Sequence, residues 1–338
     1  MSKPKFAMYW SGSCGGCEIA VINIHEKILD VDANFDIAFW PVAMDAKVKD
    51  VEALEDGAIL LTLWNGSIRN EENEHMAHLL RKKSKILVAF GSCATEGCIP
   101  GLANLAPLHE IFDVAFHTIS TDNPQGIHPQ PVTKVPEGEI SIPVMKDRVY
   151  TLAQVVDVDY YMPGCPPESH QIAAVIDLVI QVLQGKAELP PKGSVIGAGG
   201  STVCEECPRK RGVKTIKAFH RIQEVAPVDP DICLLEQGVP CNGPATRSGC
   251  DARCPNVGAQ CIGCYGPAEG VIDYGARLVT AFASVIDATE PEEIERILDG
   301  IPDPTGQFYR FNLADSLFRA SASSFKKNGH SPAKATGA

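Results

Sequence analysis

Short apolar runs alternate with longer amphipathic ones through the first half of the chain. Residues 5–10, 35–42, 58–64, 86–90 and 158–162 are compact apolar stretches ended by Gly, Pro or Asn, the pattern of strands buried on both faces of a parallel sheet. Between them, residues 18–29 place Ile19, Ile22, Ile24 and Leu29 near one helical face. Residues 70–83 predict a polar helix with Met76, Leu79 and Leu80 inward, and residues 166–184 an amphipathic helix with prolines in its first turn. This β/α alternation predicts an α/β domain with a flavodoxin-like, doubly wound parallel sheet.

The pattern lapses twice. Residues 101–157 hold His109, His117, His128 and many prolines without clear periodicity, and read as an excursion with a hairpin near 140–150. Residues 189–200, LPPKGSVIGAGG, read as a Pro/Gly-rich linker. The expected organisation is therefore a flavodoxin-like domain over 1–188, the linker, a cysteine-rich iron-sulfur domain with C-terminal helices over 201–325, and a disordered tail over 326–338.

Composition narrows the function classes. A net charge of -12 argues against nucleic acid, which requires a basic footprint. The richest apolar stretch, 172–183, is broken by Asp177 and Gln181, so no membrane span is expected. The N-terminal segment has no secretory signal or twin-arginine pair, which points to the cytoplasm.

The 13 cysteines change the picture most. A chain of 338 residues with 45% hydrophobic content does not need disulfide staples to build its core. Cys14/Cys17, Cys204/Cys207 and Cys261/Cys264 are C-x2-C pairs, a spacing that lets two thiolates from one turn chelate one centre. Cys14 and Cys17 follow the first predicted strand, Cys93 the fourth and Cys165 the fifth. All lie beyond carboxyl ends of strands, where one sheet edge can gather them. Eight more cysteines fall between Cys204 and Cys264 in a segment rich in Gly and Pro, which predicts a small apolar core and dependence on metal. Zinc ribbons are the nearest competitor, yet one four-cysteine zinc site leaves four of these unexplained.

CGGCE after the first strand, GSCA after a later one, PGCPP before a long helix and the cysteine-rich second half resemble the small subunit of nickel-iron hydrogenases. The resemblance spans nearly the whole chain and is to the cytoplasmic methyl-viologen-reducing, or F420-non-reducing, branch. It implies an electron-transfer subunit with three 4Fe-4S clusters and no nickel of its own. The proximal cluster would take Cys14, Cys17, Cys93 and Cys165. The distal one would take Cys204, Cys207, Cys233 and Cys241, with Cys204 where many relatives carry histidine. The medial one would take Cys250, Cys254, Cys261 and Cys264, and an exchange of Cys241 with Cys250 stays open. The implied partners are the hydrogenase large subunit and a further electron-accepting iron-sulfur or flavin subunit, with a heterodisulfide reductase as one candidate. The alternatives are a zinc-stabilised interaction module and a complex I type quinone-reductase subunit.

Other residues carry weaker expectations. Cys98 reads as a buried small side chain or a thiol beside the proximal ligands. Glu18 reads as a helix N-terminal acid, or as a group near the partner interface that assists proton traffic. Arg209, Lys210 and Arg211 read as a solvated basic turn or as charges that offset a cluster or dock an acceptor, and His75 and His78 as surface residues.

Overall fold

The computed structural model describes residues 3–213, 215–301 and 303–318. Its strands are β1 (Lys5–Trp10), β2 (Asp36–Phe39), β3 (Ile59–Asn65), β4 (Ile68–Asn70), β5 (Ser84–Phe90), β6 (Val132–Val135), β7 (Gly138–Ser141), β8 (Met145–Tyr150) and β9 (Tyr160–Met162). Five of them form one parallel sheet in the order β2-β1-β3-β5-β9, the flavodoxin-like winding.

Side-chain alternation fills both faces of the sheet. Phe6, Met8, Leu63, Val88 and Phe90 pack with Val21, Ile172 and Val179 on one side. Ala7, Trp64, Leu87 and Ala89 pack with Met76 and Leu80 on the other. Leu80 and Leu87 are fully buried, and truncating either to Ala costs about 2–5 kcal/mol. The helix Glu71–Lys83 begins where Asn70 Oδ1 accepts the Asn73 N–H at 2.8 Å. Its first turn carries acids and its last turn Arg81, Lys82 and Lys83, matching the helix dipole.

Three elements depart from the sequence expectation. The helix over 18–29 is split into Gly16–Ile22, a 3-10 turn at His25–Lys27 and Ile28–Asn34. Here the chain passes through a positive φ of 56° at His25, and β-branched residues surround the break. Ile19, Ile22 and Leu29 face outward, and only Ile24 of the four is buried. The long helix starts at Ser169, after both prolines, where Glu168 N–H donates to Gln171 Oε1 at 3.1 Å. The hairpin lies earlier than expected, as β6 with β7. β8 instead pairs antiparallel with β4, and Asn104 closes its end through two hydrogen bonds to the Val149 backbone.

The 189–200 segment lies along β9, with Ile196 N–H donating to Tyr161 O at 2.8 Å and Tyr161 N–H to Ser194 O at 3.1 Å. Beyond it, the helices Tyr274–Ala283, Pro291–Leu298 and Pro304–Tyr309 follow the cysteine-rich segment. Phe219 stacks on Phe282 at 5.3 Å, and Phe308 meets Phe282 edge-on at 5.3 Å. With Leu278, Ile286, Ile297 and Ile301 these rings give the second half a substantial apolar core, larger than its Gly and Pro content predicts. Residues 326–338, expected as a disordered tail, lie outside the described residues. Among the described residues no helix is long and apolar enough to cross a membrane.

Candidate metal centres

Parallel register builds the first site. Trp10 pairs with Asn65, Asn65 with Phe90 and Phe90 with Met162, so four strands end on one line across the sheet. The loops leaving β1, β5 and β9 carry Cys14 and Cys17, Cys93, and Cys165 past that line. The Cys17 thiol is pushed far above its ordinary value, first by burial and then by the sulfurs of Cys93, Cys165 and Cys14. Tight backbone makes this convergence possible. Gly91 has φ 82°, and a Cβ there would collide with Cys17 Sγ. Ser92 N–H donates to Gly164 O at 2.8 Å and Gly164 N–H to Ser92 Oγ at 3.2 Å, locking two cysteine loops together.

A second group gathers Cys204, Cys207, Cys233 and Cys241 around one cavity, with Arg209, Arg211, Gly243 and Pro244. Cys204 lies within the one-turn helix Val203–Glu206 and Cys207 caps its C-terminal end. Cys233 is held by its N–H donating to Lys210 O at 2.8 Å. A Cβ on Gly243 would stand 3.0 Å from Cys204 Sγ and 3.9 Å from Cys241 Sγ, so glycine leaves room between two sulfurs. Burial raises the Cys204 thiol, against which the Arg211 guanidinium acts by charge and hydrogen bond.

The third group lies between the other two. Cys264 is pushed up to about 12 by burial and by Cys250, Cys165 and Cys254. Cys261 is raised by burial and by Cys241, and it shares the Thr246 hydroxyl at 3.4 Å. Two contacts join the groups into a series. Ser92 Oγ donates to Cys264 O at 2.6 Å, and Cys261 N–H donates to Cys241 Sγ at 3.3 Å. Cys241 keeps company with Cys204 and Cys233, whereas Cys250 stands by Cys254 and Cys264.

Remaining candidates fall in varied places. Cys98 is buried and its Sγ donates to Cys165 Sγ at 3.7 Å. Glu18 stands in the first turn of the helix Gly16–Ile22, as the sequence reads it, and is buried: it is 2% exposed, its Oε2 accepts the Trp40 indole N–H at 2.5 Å, and burial raises its carboxyl. Glu18 Oε1 and both side-chain polar atoms of Asn65 are buried without a hydrogen-bond partner among the described residues. Nothing local in the sequence marks Trp40 or Asn65 as neighbours of Glu18, because β2 and β3 bring them there. Of the basic turn, Arg209 points inward and donates to the carbonyls of Pro255, Asp229 and Ile232, while Arg211 faces Cys204. His75 and His78 are exposed.

These donor sets fit iron-sulfur clusters. All thirteen cysteines are free thiols. Several are raised by burial among other sulfurs, with Cys241 and Cys264 both pushed to about 12. Bare thiolates packed this way repel, whereas a bound metal reverses that balance and deprotonates its ligands. Sulfur-only groups in C-x2-C spacing with glycine backbone against them are the donors such clusters use.

A family profile described as NADH ubiquinone oxidoreductase, 20 Kd subunit, matches residues 14–179. The chain is 40% identical over 320 residues to the iron-sulfur subunit of the F420-non-reducing hydrogenase of Archaeoglobus profundus, across 93% of this chain and 97% of that protein. It is 35% identical to the corresponding subunit of the F420-non-reducing hydrogenase of Methanothermobacter marburgensis, across 93% and 96%. In fold, it matches a chain of the [NiFeSe] hydrogenase of Desulfovibrio vulgaris Hildenborough with a TM-score of 0.51 at 17% identity, across 79% of this chain and 94% of that one. The chain belongs to the small-subunit family of nickel-iron hydrogenases. Within that family it falls in the group formed by the iron-sulfur subunits of F420-non-reducing hydrogenases.

Proposed function

We propose that this chain relays electrons from hydrogen oxidation in a nickel-iron large subunit to a low-potential acceptor, through three 4Fe-4S clusters. The proximal ligands are Cys14, Cys17, Cys93 and Cys165, the medial ligands Cys250, Cys254, Cys261 and Cys264, and the distal ligands Cys204, Cys207, Cys233 and Cys241. The observation that carries this reading is the continuity of the three sulfur groups, through Ser92 Oγ on Cys264 O and Cys261 N–H on Cys241 Sγ. When bound, such clusters supply single-electron transfer at potentials of roughly -700 to +450 mV.

The protein's own residues set the ends of this path. Cys14 is exposed, and Trp10, Ile19 and Ile22 beside it are exposed by 43%, 59% and 53%. This apolar face is where the large subunit docks, keeping the nickel-iron site on the partner. At the other end Arg211 places positive charge beside Cys204. A cysteine rather than a histidine there adds negative charge and suits a low-potential iron-sulfur or flavin partner, with a heterodisulfide reductase as one candidate, in the cytoplasm. A zinc module would leave the sulfur series without a role. A complex I type subunit would leave idle the eight cysteines beyond residue 200, outside the matched span of 14–179.

The test uses the anaerobically purified complex. Hydrogen should bleach the visible band of this chain and reduce methyl viologen. Cys14→Ala should abolish viologen reduction while the assembled large subunit retains hydrogen-deuterium exchange. Undiminished viologen reduction in that variant would overturn the reading.

A further inference from the structure

We propose that Asp113, His117 and His128 bind one zinc-type divalent cation, in a site separate from the cysteine groups. Asp113 and His117 stand four apart on the helix Leu108–His117, so both project from one face. His128 returns from the following loop. Its Nε2 lies 2.6 Å from His117 Nε2 and 3.9 Å from Asp113 Oδ1. One ligand atom from each of the three residues falls within 4.8 Å of the others.

The loop is built to hold this convergence. Asn123 Nδ2 donates to Phe116 O at 2.9 Å and Ile127 O at 3.0 Å, and Asn123 Oδ1 accepts the Ile127 N–H at 2.9 Å. Thr121 Oγ1 donates to Ala115 O at 2.9 Å. Gly126 turns the chain at φ 63°, where a Cβ would press to 3.2 Å from His117 Cε1. The His128 ring is flanked by Phe112 and Phe116 at centroid distances of 6.0 and 5.7 Å.

A hydrogen bond between the two imidazoles satisfies only one lone pair. Doubly protonated rings this close would repel. Two neutral imidazoles and a carboxylate around a dication satisfy all three donors at once. Ligands about 2.0–2.1 Å from zinc in a tetrahedron sit about 3.3 Å apart, between the 2.6 and 3.9 Å seen here. Small ring rotations therefore suffice, and water takes the fourth position on this exposed flank. Bound metal would fasten the loop to the helix and rigidify the excursion beyond β5.

The full complex, with clusters loaded and zinc removed by a mild chelator, is titrated with Zn2+ and read by zinc K-edge X-ray absorption. The expected result is one further zinc per chain with two imidazole nitrogens and no sulfur. Separately, His117→Gln and His128→Gln should each weaken binding about tenfold or more, with iron content unchanged. Zinc should also protect the loop at 118–128 from proteolysis in wild type and not in the variants. Sulfur-ligated zinc only, no binding, or binding and protection unchanged in both variants would each overturn the assignment.

Discussion

Cys98 Sγ donates to Cys165 Sγ across 3.7 Å, with Cys98 itself buried against Cys93 and Phe311. This contact draws the Cys165 thiol down to about 7, while Cys98 itself is held far above the ordinary thiol range. Cys98 is thus placed as a hydrogen-bond donor to the sulfur of Cys165, a ligand in the proposed proximal set.

Hydrogen bonds to cluster sulfurs favour the more negative, reduced state. Cys98→Ala should therefore keep full iron content and lower the proximal potential. A neutral hydrogen bond of about 0.5–1.5 kcal/mol corresponds to on the order of 20–60 mV. Cys98→Ser, which keeps a donor, should restore much of it. A redox titration followed by electron paramagnetic resonance measures both, and an unchanged potential in the Ala variant argues against the donor role.

Gly91→Ala should abolish the proximal centre more selectively than an unfolding mutation. Its Cβ would collide with Cys17 Sγ, and φ is 82°. The other two centres should keep their spectra. Full iron content in this variant would contradict the packing described for Cys17.

Glu96 is buried, hydrogen-bonded by the Thr95 hydroxyl, and pushed up to about 8 chiefly by burial, with Asp315 adding to the rise. Its native carboxyl keeps a proton that the unfolded chain releases near pH 4.5. The unfolded state then binds fewer protons, so this group erodes stability as pH rises from about 4.5 to about 8. Glu96→Gln should remove a loss on the order of 5 kcal/mol across that window, seen as a shallower fall in Tm with pH. Parallel Tm curves for the two proteins would show that Glu96 is ionised in the folded state.

The strands were legible because β3 and β5, buried nearly throughout, read as continuous apolar runs. Cys93 and Cys165 were legible because each follows a strand end closely, and parallel register does the rest. What escaped was non-local. The burial of Glu18 depends on Trp40 and Asn65 arriving from other strands. The pairing of β8 with β4 spans residues far apart in the chain. The helix Leu108–His117 was hidden within a proline-rich setting, and with it the approach of His117 to His128. The break after Ile22 came from local backbone conformation at His25, which apolar spacing does not encode.

Cys254 tests the medial group. It is exposed and stands with Cys250 and Cys264. Cys254→Pro should yield a paramagnetic three-iron centre when oxidised, raise its potential and leave the proximal and distal signals unchanged. A strong three-iron signal already present in anaerobic wild type would remove Cys254 from the ligand set.

The most direct measurement is the iron and acid-labile sulfide content of this chain in its anaerobically purified complex, after subtracting metal held by the partners. Three four-cysteine sites predict about twelve irons and about twelve sulfides per chain. About four of each, with zinc making up the balance, would contradict the three-cluster relay.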